Sequence, residues 1–138
     1  MAGNLTFSMI KPDATAKGYT GKILDRFIGA GFGIRAMKWT RMNRDEAERF
    51  YGVHKGKPFF DDLVAFMTSG NIVAIVLQKD NAVADYRQLI GATFDPAQGT
   101  VRHQFAESTQ CNAVHGSDSD ENALIECSFF FAQKDFLS

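Results

Sequence analysis

No stretch constrains the fold of this chain more than Asn112-Ala113-Val114-His115-Gly116-Ser117-Asp118-Ser119. The apolar pair Ala113 and Val114 is too short for a helix and reads as a brief buried strand that delivers His115 to the point where the strand stops. Gly116 is expected to let the backbone turn. Ser117, Asp118, Ser119, Asp120 and Glu121 then follow as N-cap candidates and first-turn acids of a helix running through Ala123, Leu124 and Cys127. A histidine is thereby presented beside the free N–H groups and positive end of a helix, where phosphate collects.

The surroundings of that motif follow from alternating patterns. Leu5 to Ile10 reads as a first strand stopped by Lys11-Pro12-Asp13, since Pro12 removes a ladder donor. Tyr19 to Ala30 carries Ile23, Leu24, Phe27 and Ile28 at helical spacing and ends at Gly29-Ala30-Gly31. Ile34 to Met42 is a second strand, and Asn43-Arg44-Asp45-Glu46 resembles a capping box opening a short helix through Ala47, Phe50 and Tyr51. Pro58 begins another helical stretch with Leu63, Phe66 and Met67, closed by Gly70. Ile72 to Leu77 is a buried third strand. Asp80 is placed to cap a helix in which Val83, Tyr86, Leu89 and Ile90 recur before Gly91. From Ala92 to Cys111 the pattern is weak, and so long a connection in a compact domain usually carries function. Strands interleaved with helices in this order predict an α+β two-layer sandwich, a ferredoxin-like βαββαβ fold with a four-stranded antiparallel sheet.

At 138 residues, with 45% apolar and 22% charged side chains, the chain fits one domain with a real core. Its formal net charge of −1 offers no polybasic surface for nucleic acid or anionic lipid, so any anion site must be local. Met1 to Asn4 lacks a basic leader region, and no apolar run approaches the length of a membrane span. Cys111 and Cys127 have no C-x-x-C spacing and fit free thiols in a reducing, cytoplasmic setting. The glycines at 18, 21, 29, 31 and 33 satisfy neither dinucleotide nor P-loop spacing and read as stops and turns.

Cations at element ends suggest where phosphate would go: Lys11 after the first strand, Arg87 before Gly91, and Arg102 in the long connection. Together, Ile10-Lys11-Pro12-Asp13, Arg87 with Gly91-Ala92-Thr93, Gly99-Thr100-Val101-Arg102 and the His115 motif resemble the nucleoside diphosphate kinases, in family order and over nearly the whole chain. The resemblance implies a ping-pong kinase in which His115 takes the γ-phosphoryl group of a nucleoside triphosphate and passes it to a nucleoside diphosphate. It implies that Glu126 orients the other ring nitrogen, that Lys11, Tyr51 and Arg102 surround the transferred phosphate, and that Arg87 and Thr93 hold the inner phosphates. Asn112 would read the sugar hydroxyl alongside Lys11, Phe59 would stack on the base with Leu63 nearby, and Gly116 joins the nucleotide-binding set. Magnesium would be held mainly by nucleotide oxygens and water, with no protein metal cluster. Stacking without hydrogen-bond readout implies low base selectivity.

The sequence departs from the family at two places. Thr109 stands where an aliphatic residue usually meets the second face of the base. The segment Phe94-Asp95-Pro96-Ala97-Gln98-Gly99 replaces a longer connection that takes part in subunit contacts. Thirteen phenylalanines exceed what one small core needs, which together with the resemblance implies a homo-oligomer, a hexamer first and a tetramer as the alternative. A family member kept only as a structural oligomer would have no need of His115, Lys11 and Arg102, all present here.

Overall fold

The computed structural model describes residues 3–137; Met1 and Ala2, part of the stretch read above for a leader, lie outside them. In chain order the elements are β1 (Leu5–Ile10), α1 (Pro12–Ala16), α2 (Thr20–Gly29), β2 (Gly33–Thr40), α3 (Arg44–Phe50), a 3-10 turn (Gly52–His54), α4 (Phe60–Met67), β3 (Ile72–Gln78), α5 (Ala82–Ile90), α6 (Val101–Phe105), β4 (Val114–Gly116), α7 (Asp120–Phe130) and α8 (Gln133–Phe136). The strands form one sheet of order β2-β3-β1-β4 with every pairing antiparallel. That order, with α2 and α5 as the crossover helices, is the ferredoxin-like arrangement expected from the alternation.

β1 and β3 fill the middle of the sheet, and their apolar runs are buried on both faces. Ile10, Val73, Ile75 and Leu77 point to a cluster with Ile23 and Phe27 of α2 and with Tyr86 and Ile90 of α5. Phe7, Met9, Ala74 and Val76 point the other way, onto Ala47 of α3, Val64 and Met67 of α4, and Cys127 of α7. The ferredoxin-like layer of α2 and α5 is therefore complemented by a second set of helices, α3, α4 and α7, on the opposite face. The period-two alternation of a strand divides each residue set between these two cores. His115 pairs with Met9 across the β1–β4 ladder and so faces the α3/α7 side, while Val114 packs with the α2/α5 cluster.

Several boundaries differ from the sequence reading for local reasons. The Asn43 capping box forms as expected, with Glu46 N–H donating to Asn43 Oδ1 at 2.8 Å and Asn43 N–H to Glu46 Oε1 at 3.0 Å. Pro58 precedes α4 instead of opening it, the helix beginning at Phe60. Asn81, not Asp80, occupies the N-cap of α5, in the left-handed region at φ 57° and without a side-chain cap bond. The weak-patterned connection contains α6, capped by Thr100, whose Oγ1 accepts the His103 N–H at 3.2 Å.

Candidate active site

β4 is where the sequence reading needs its most instructive correction. The strand runs from Val114 to Gly116 with His115 in its middle, and Ala113 stands outside it at φ 73°. Val114 N–H donates to Asn112 O at 2.8 Å, closing a three-residue turn around Ala113 in the rarer, more strained of the two γ-turn forms. Such a conformation costs a non-glycine residue about 1–3 kcal/mol. Gly116 is not the turn. It lies in the ladder opposite Ser8, where an added Cβ would sit 3.0 Å from Ile90 Cδ1 and from Tyr86 Cε2, so its missing side chain lets α5 close against β4.

The histidine ring is held from several sides. Its Nε2 lies 3.0 Å from Glu126 Oε1, one turn and a half into α7, and that oxygen also accepts Ser117 Oγ–H at 2.6 Å. Phe50 and Tyr51 meet the imidazole edge-on, with centroids 5.5 and 6.4 Å away, and Phe7 lies at 6.0 Å. A carboxylate acceptor at Nε2 assigns the proton to that nitrogen and leaves the Nδ1 lone pair free. In the first turn of α7, which the sequence suggested as the phosphate seat, one N–H is taken by the cap, Ser119 Oγ accepting from Asn122 at 3.1 Å. It is the middle of α7, through Glu126, that meets His115.

Cationic side chains converge on the same space from the other elements. Lys11, at the end of β1 and 7% exposed, donates from Nζ to Asn112 Oδ1 at 2.7 Å. Burial, reinforced by the nearby Arg102, lowers its pKa from 10.5 to about 8. Arg102 in α6 donates to Gly91 O at 3.0 Å and Val114 O at 2.9 Å, tying the end of α5 to β4, while its buried Nε has no partner among the described residues. Its guanidinium, with five N–H donors, thus gives one to each of two carbonyls. Gly91 allows this junction: at φ 88°, a Cβ there would come within 2.6 Å of Thr100 Oγ1. The Tyr51 hydroxyl is buried without a partner among the described residues, and burial, followed by the Glu126 carboxylate, raises its pKa.

One open cleft of about 1350 Å³ is lined by His115 and Glu126, Lys11, Tyr51 and Asn112, Arg87, Thr93 and Arg102, and Phe59 and Leu63. That exceeds the roughly 300–1,000 Å³ of ordinary small-molecule pockets, leaving room for a base, a sugar and a chain of phosphates. A family model described as nucleoside diphosphate kinase matches residues 4–136. The chain belongs to the nucleoside diphosphate kinase family. A nucleoside diphosphate kinase of a Nitratiruptor species is 56% identical over 135 residues, covering 96% of this chain and 98% of the relative. Another, from Flavobacterium psychrophilum, is 53% identical over 137 residues, covering 98% and 99%. Among solved structures, the Aquifex aeolicus nucleoside diphosphate kinase superposes with a TM-score of 0.93 at 42% identity, covering 97% of this chain and 99% of that one. A halophilic nucleoside diphosphate kinase from Halobacterium salinarum, solved in complex with CDP, gives 0.91 at 35% identity, covering 99% and 93%.

Membership carries the activity: transfer of the terminal phosphoryl group of a nucleoside triphosphate to a nucleoside diphosphate. The fold brings every residue that the kinase resemblance singled out to the cleft: Lys11, Tyr51, Phe59, Leu63, Arg87, Thr93, Arg102, Asn112, His115, Gly116 and Glu126. Phe59 is 46% exposed where its neighbour Phe60 is 6% exposed, which separates a cleft aromatic from a core one. Arg49, His54, Gln110, Asn122 and Ile125, of which the sequence carried no sign, also line the cleft, as does Asp118, which it marked only as an N-cap candidate. The His54 ring packs 5.2 Å from that of Phe59. Thr109 lines the cleft as well. The 94–99 segment is tied to α2 by Arg26, which donates to Gly99 O and also to Gln104 Oε1 of α6, both at 2.6 Å.

Proposed function

We propose that the chain carries out its kinase reaction by a ping-pong route with His115 Nδ1 as nucleophile. The observation that carries this reading is the 3.0 Å contact between His115 Nε2 and Glu126 Oε1. It orients the ring, leaves Nδ1 as the atom with a lone pair, and sets a carboxylate against the positive charge that grows on the imidazole. In the first half-reaction Nδ1 bonds to the γ-phosphorus while the bond to the β–γ bridging oxygen breaks, and the departing nucleoside diphosphate keeps the electron pair. In the second, a terminal oxygen of the acceptor diphosphate attacks the same phosphorus and the P–N electron pair returns to Nδ1.

Because charge in a loose phosphoryl transition state is spread over the peripheral oxygens, positioned donors carry most of the catalysis. Lys11, Arg102 and the Tyr51 hydroxyl serve the transferred group, and Arg87 and Thr93 the inner phosphates. Asn112, fixed by Lys11, takes the sugar hydroxyl. Phe59 stacks on the base with Leu63 beside it, an arrangement that tolerates all bases; Gly116 serves the nucleotide site by letting α5 close against β4. Among the described residues no group of three or more His, Cys, Asp or Glu is disposed to hold a metal, which fits a divalent cation, magnesium in our reading, that arrives bound to nucleotide oxygens and water. When bound, that ion supplies charge neutralisation on the phosphates.

We further assign a homo-oligomer, a hexamer with a tetramer as the alternative. Trp39 and Met37 are 58% and 51% exposed on β2, the strand at one edge of the sheet, and an apolar edge of that kind invites a second copy. Among the described residues no helix is long and apolar enough to cross a membrane, and two free cysteines suit the cytoplasm we assign.

The test is incubation with ATP and magnesium followed by intact mass. One added phosphoryl group, labile in acid and stable in base, is expected on the wild type and none on His115→Ala, while His115→Ala still binds ADP. Phosphoenzyme on that variant would sink the assignment.

A further inference from the structure

The strained turn that feeds β4 is not self-supporting, and what supports it comes from the far end of the chain. Ala113 is fully buried at φ 73°. Its carbonyl accepts the Lys11 N–H at 2.8 Å, and its own N–H donates to Asp13 Oδ2 at 3.1 Å. Both backbone polar groups of the turn residue therefore go to the corner between β1 and α1. This corner is also the one that sends Lys11 Nζ to Asn112 Oδ1. Asn112 precedes the turn and His115 follows it by two residues, so the turn sets how the sugar-reading amide and its lysine stand relative to the nucleophile.

We propose that Asp13 is a positioning residue for phosphoryl transfer, its carboxylate holding Ala113 in the left-handed turn and thereby fixing His115 relative to Lys11 and Asn112. Asp13 touches no reacting atom; it acts through the Ala113 N–H. Were that acceptor removed, a buried donor would be orphaned and the alanine would have every reason to leave φ > 0. Lys11 and Asn112 keep each other through their own bond, and Arg102 keeps Val114 O, so what loosens is the link between the two halves of the cleft. Sub-ångström to one-ångström displacements of this kind reduce transfer rates by up to about a hundredfold.

The inference rests on the His115 reading above, and the experiment separates the two. The rate of phosphoenzyme formation from ATP is measured by quenched flow, with ADP affinity by calorimetry and folding by circular dichroism and thermal melts. Asp13→Ala is expected to slow His115 phosphorylation by roughly tenfold to a hundredfold while ADP binds within about threefold of wild type. Asp13→Asn, whose amide oxygen accepts the same N–H, is expected to stay within about threefold in rate. Adding Ala113→Gly to Asp13→Ala should recover about fivefold, because glycine takes positive φ unaided, a rescue that a merely structural aspartate would not give. Asp13→Ala at the wild-type rate, Asp13→Asn as slow as Asp13→Ala, or no recovery with glycine would each overturn the inference. If Asp13→Ala does not fold, Asp13→Asn decides. A held rate with the Ala113 amide proton still at a hydrogen-bonded chemical shift supports the clamp, and a slowed rate or a lost shift refutes it. A wild type that forms no phosphoenzyme at all would instead be a failure of the His115 reading.

Discussion

Lys11 shows how one residue's burial becomes an observable of binding. Its ammonium group has a pKa near 8 because burial and Arg102 disfavour the charged form. An arriving phosphate reverses that balance. At pH 8.5 nucleotide binding should therefore take up protons, measured by calorimetry in buffers of different ionisation heat, and at pH 6.5 it should not. The same depressed pKa links to stability. Between about pH 8 and 10.5 the unfolded chain holds the Lys11 proton and the folded one has released it, so this group's contribution to stability rises with pH across that window. Lys11→Ala and Arg102→Ala should each lower the turnover rate by on the order of 10²-fold, the usual loss for a preorganised donor at a transferring group. If both turn over like wild type, the phosphates bind elsewhere. Phe59→Ala should raise KM by roughly tenfold with similar factors for GDP, CDP, UDP and dTDP, since stacking uses a π-face that all bases have. A preference for one base above about 10³ would require polar base contacts, and Thr109 and Gln110 on the cleft wall would then be the first to replace.

At the scale of elements, contacts between β4 and its neighbours decide whether the cleft is assembled. Gly116→Ala would drive a methyl group to within 3.0 Å of Tyr86 and Ile90, and the buried Tyr86 and Ile90 have little space to yield. The expected result is a folded protein destabilised by about 1–3 kcal/mol in urea titration, with activity reduced because β4 shifts. Wild-type stability would show that α5 has slack. The elements legible in the sequence were those with length: α2 and α5 from their helical periodicity, β1 and β3 from their apolar runs, α3 from its capping box. α1 and α6, of five residues each, and α8, of four, are too short to show a period at all. Their apolar residues, among them Val101, Phe105 and Phe136, look like isolated hydrophobes until the core collects them.

For the whole molecule the open question is assembly. β2 carries Ile34, Met37 and Trp39 exposed by 36%, 51% and 58%, and its outer edge is the end of the sheet. Light scattering across a dilution series should find a homo-oligomer built on at least a dimer, and Trp39→Glu should weaken it by placing a charge on the apolar edge. A monomer that is fully active at every concentration would contradict the assignment. Phe94, 80% exposed at the tip of the 94–99 segment, is the second place to probe. That segment is already tied by Arg26 to α2. Phe94→Ser should change the mass of the assembly only if this tip joins dimers to one another.

The sequence by itself determined the antiparallel ferredoxin-like sheet, because that follows from periodicity and breakers, while the side chains suited to phosphate came from its resemblance to the kinase family. The pairing of Glu126 with His115 came from the resemblance to the kinase family, and the 3.0 Å contact agrees with it. Only the tertiary structure decided that Ala113, not Gly116, makes the turn and that Gly116 serves the approach of α5. The first depends on contacts between residues about a hundred positions apart, Lys11 and Asp13 against Ala113, and the second on Tyr86 and Ile90 of α5 against Gly116. A backbone conformation unfavourable to its own residue leaves no local trace in the sequence, because the groups that stabilise it lie elsewhere in the chain.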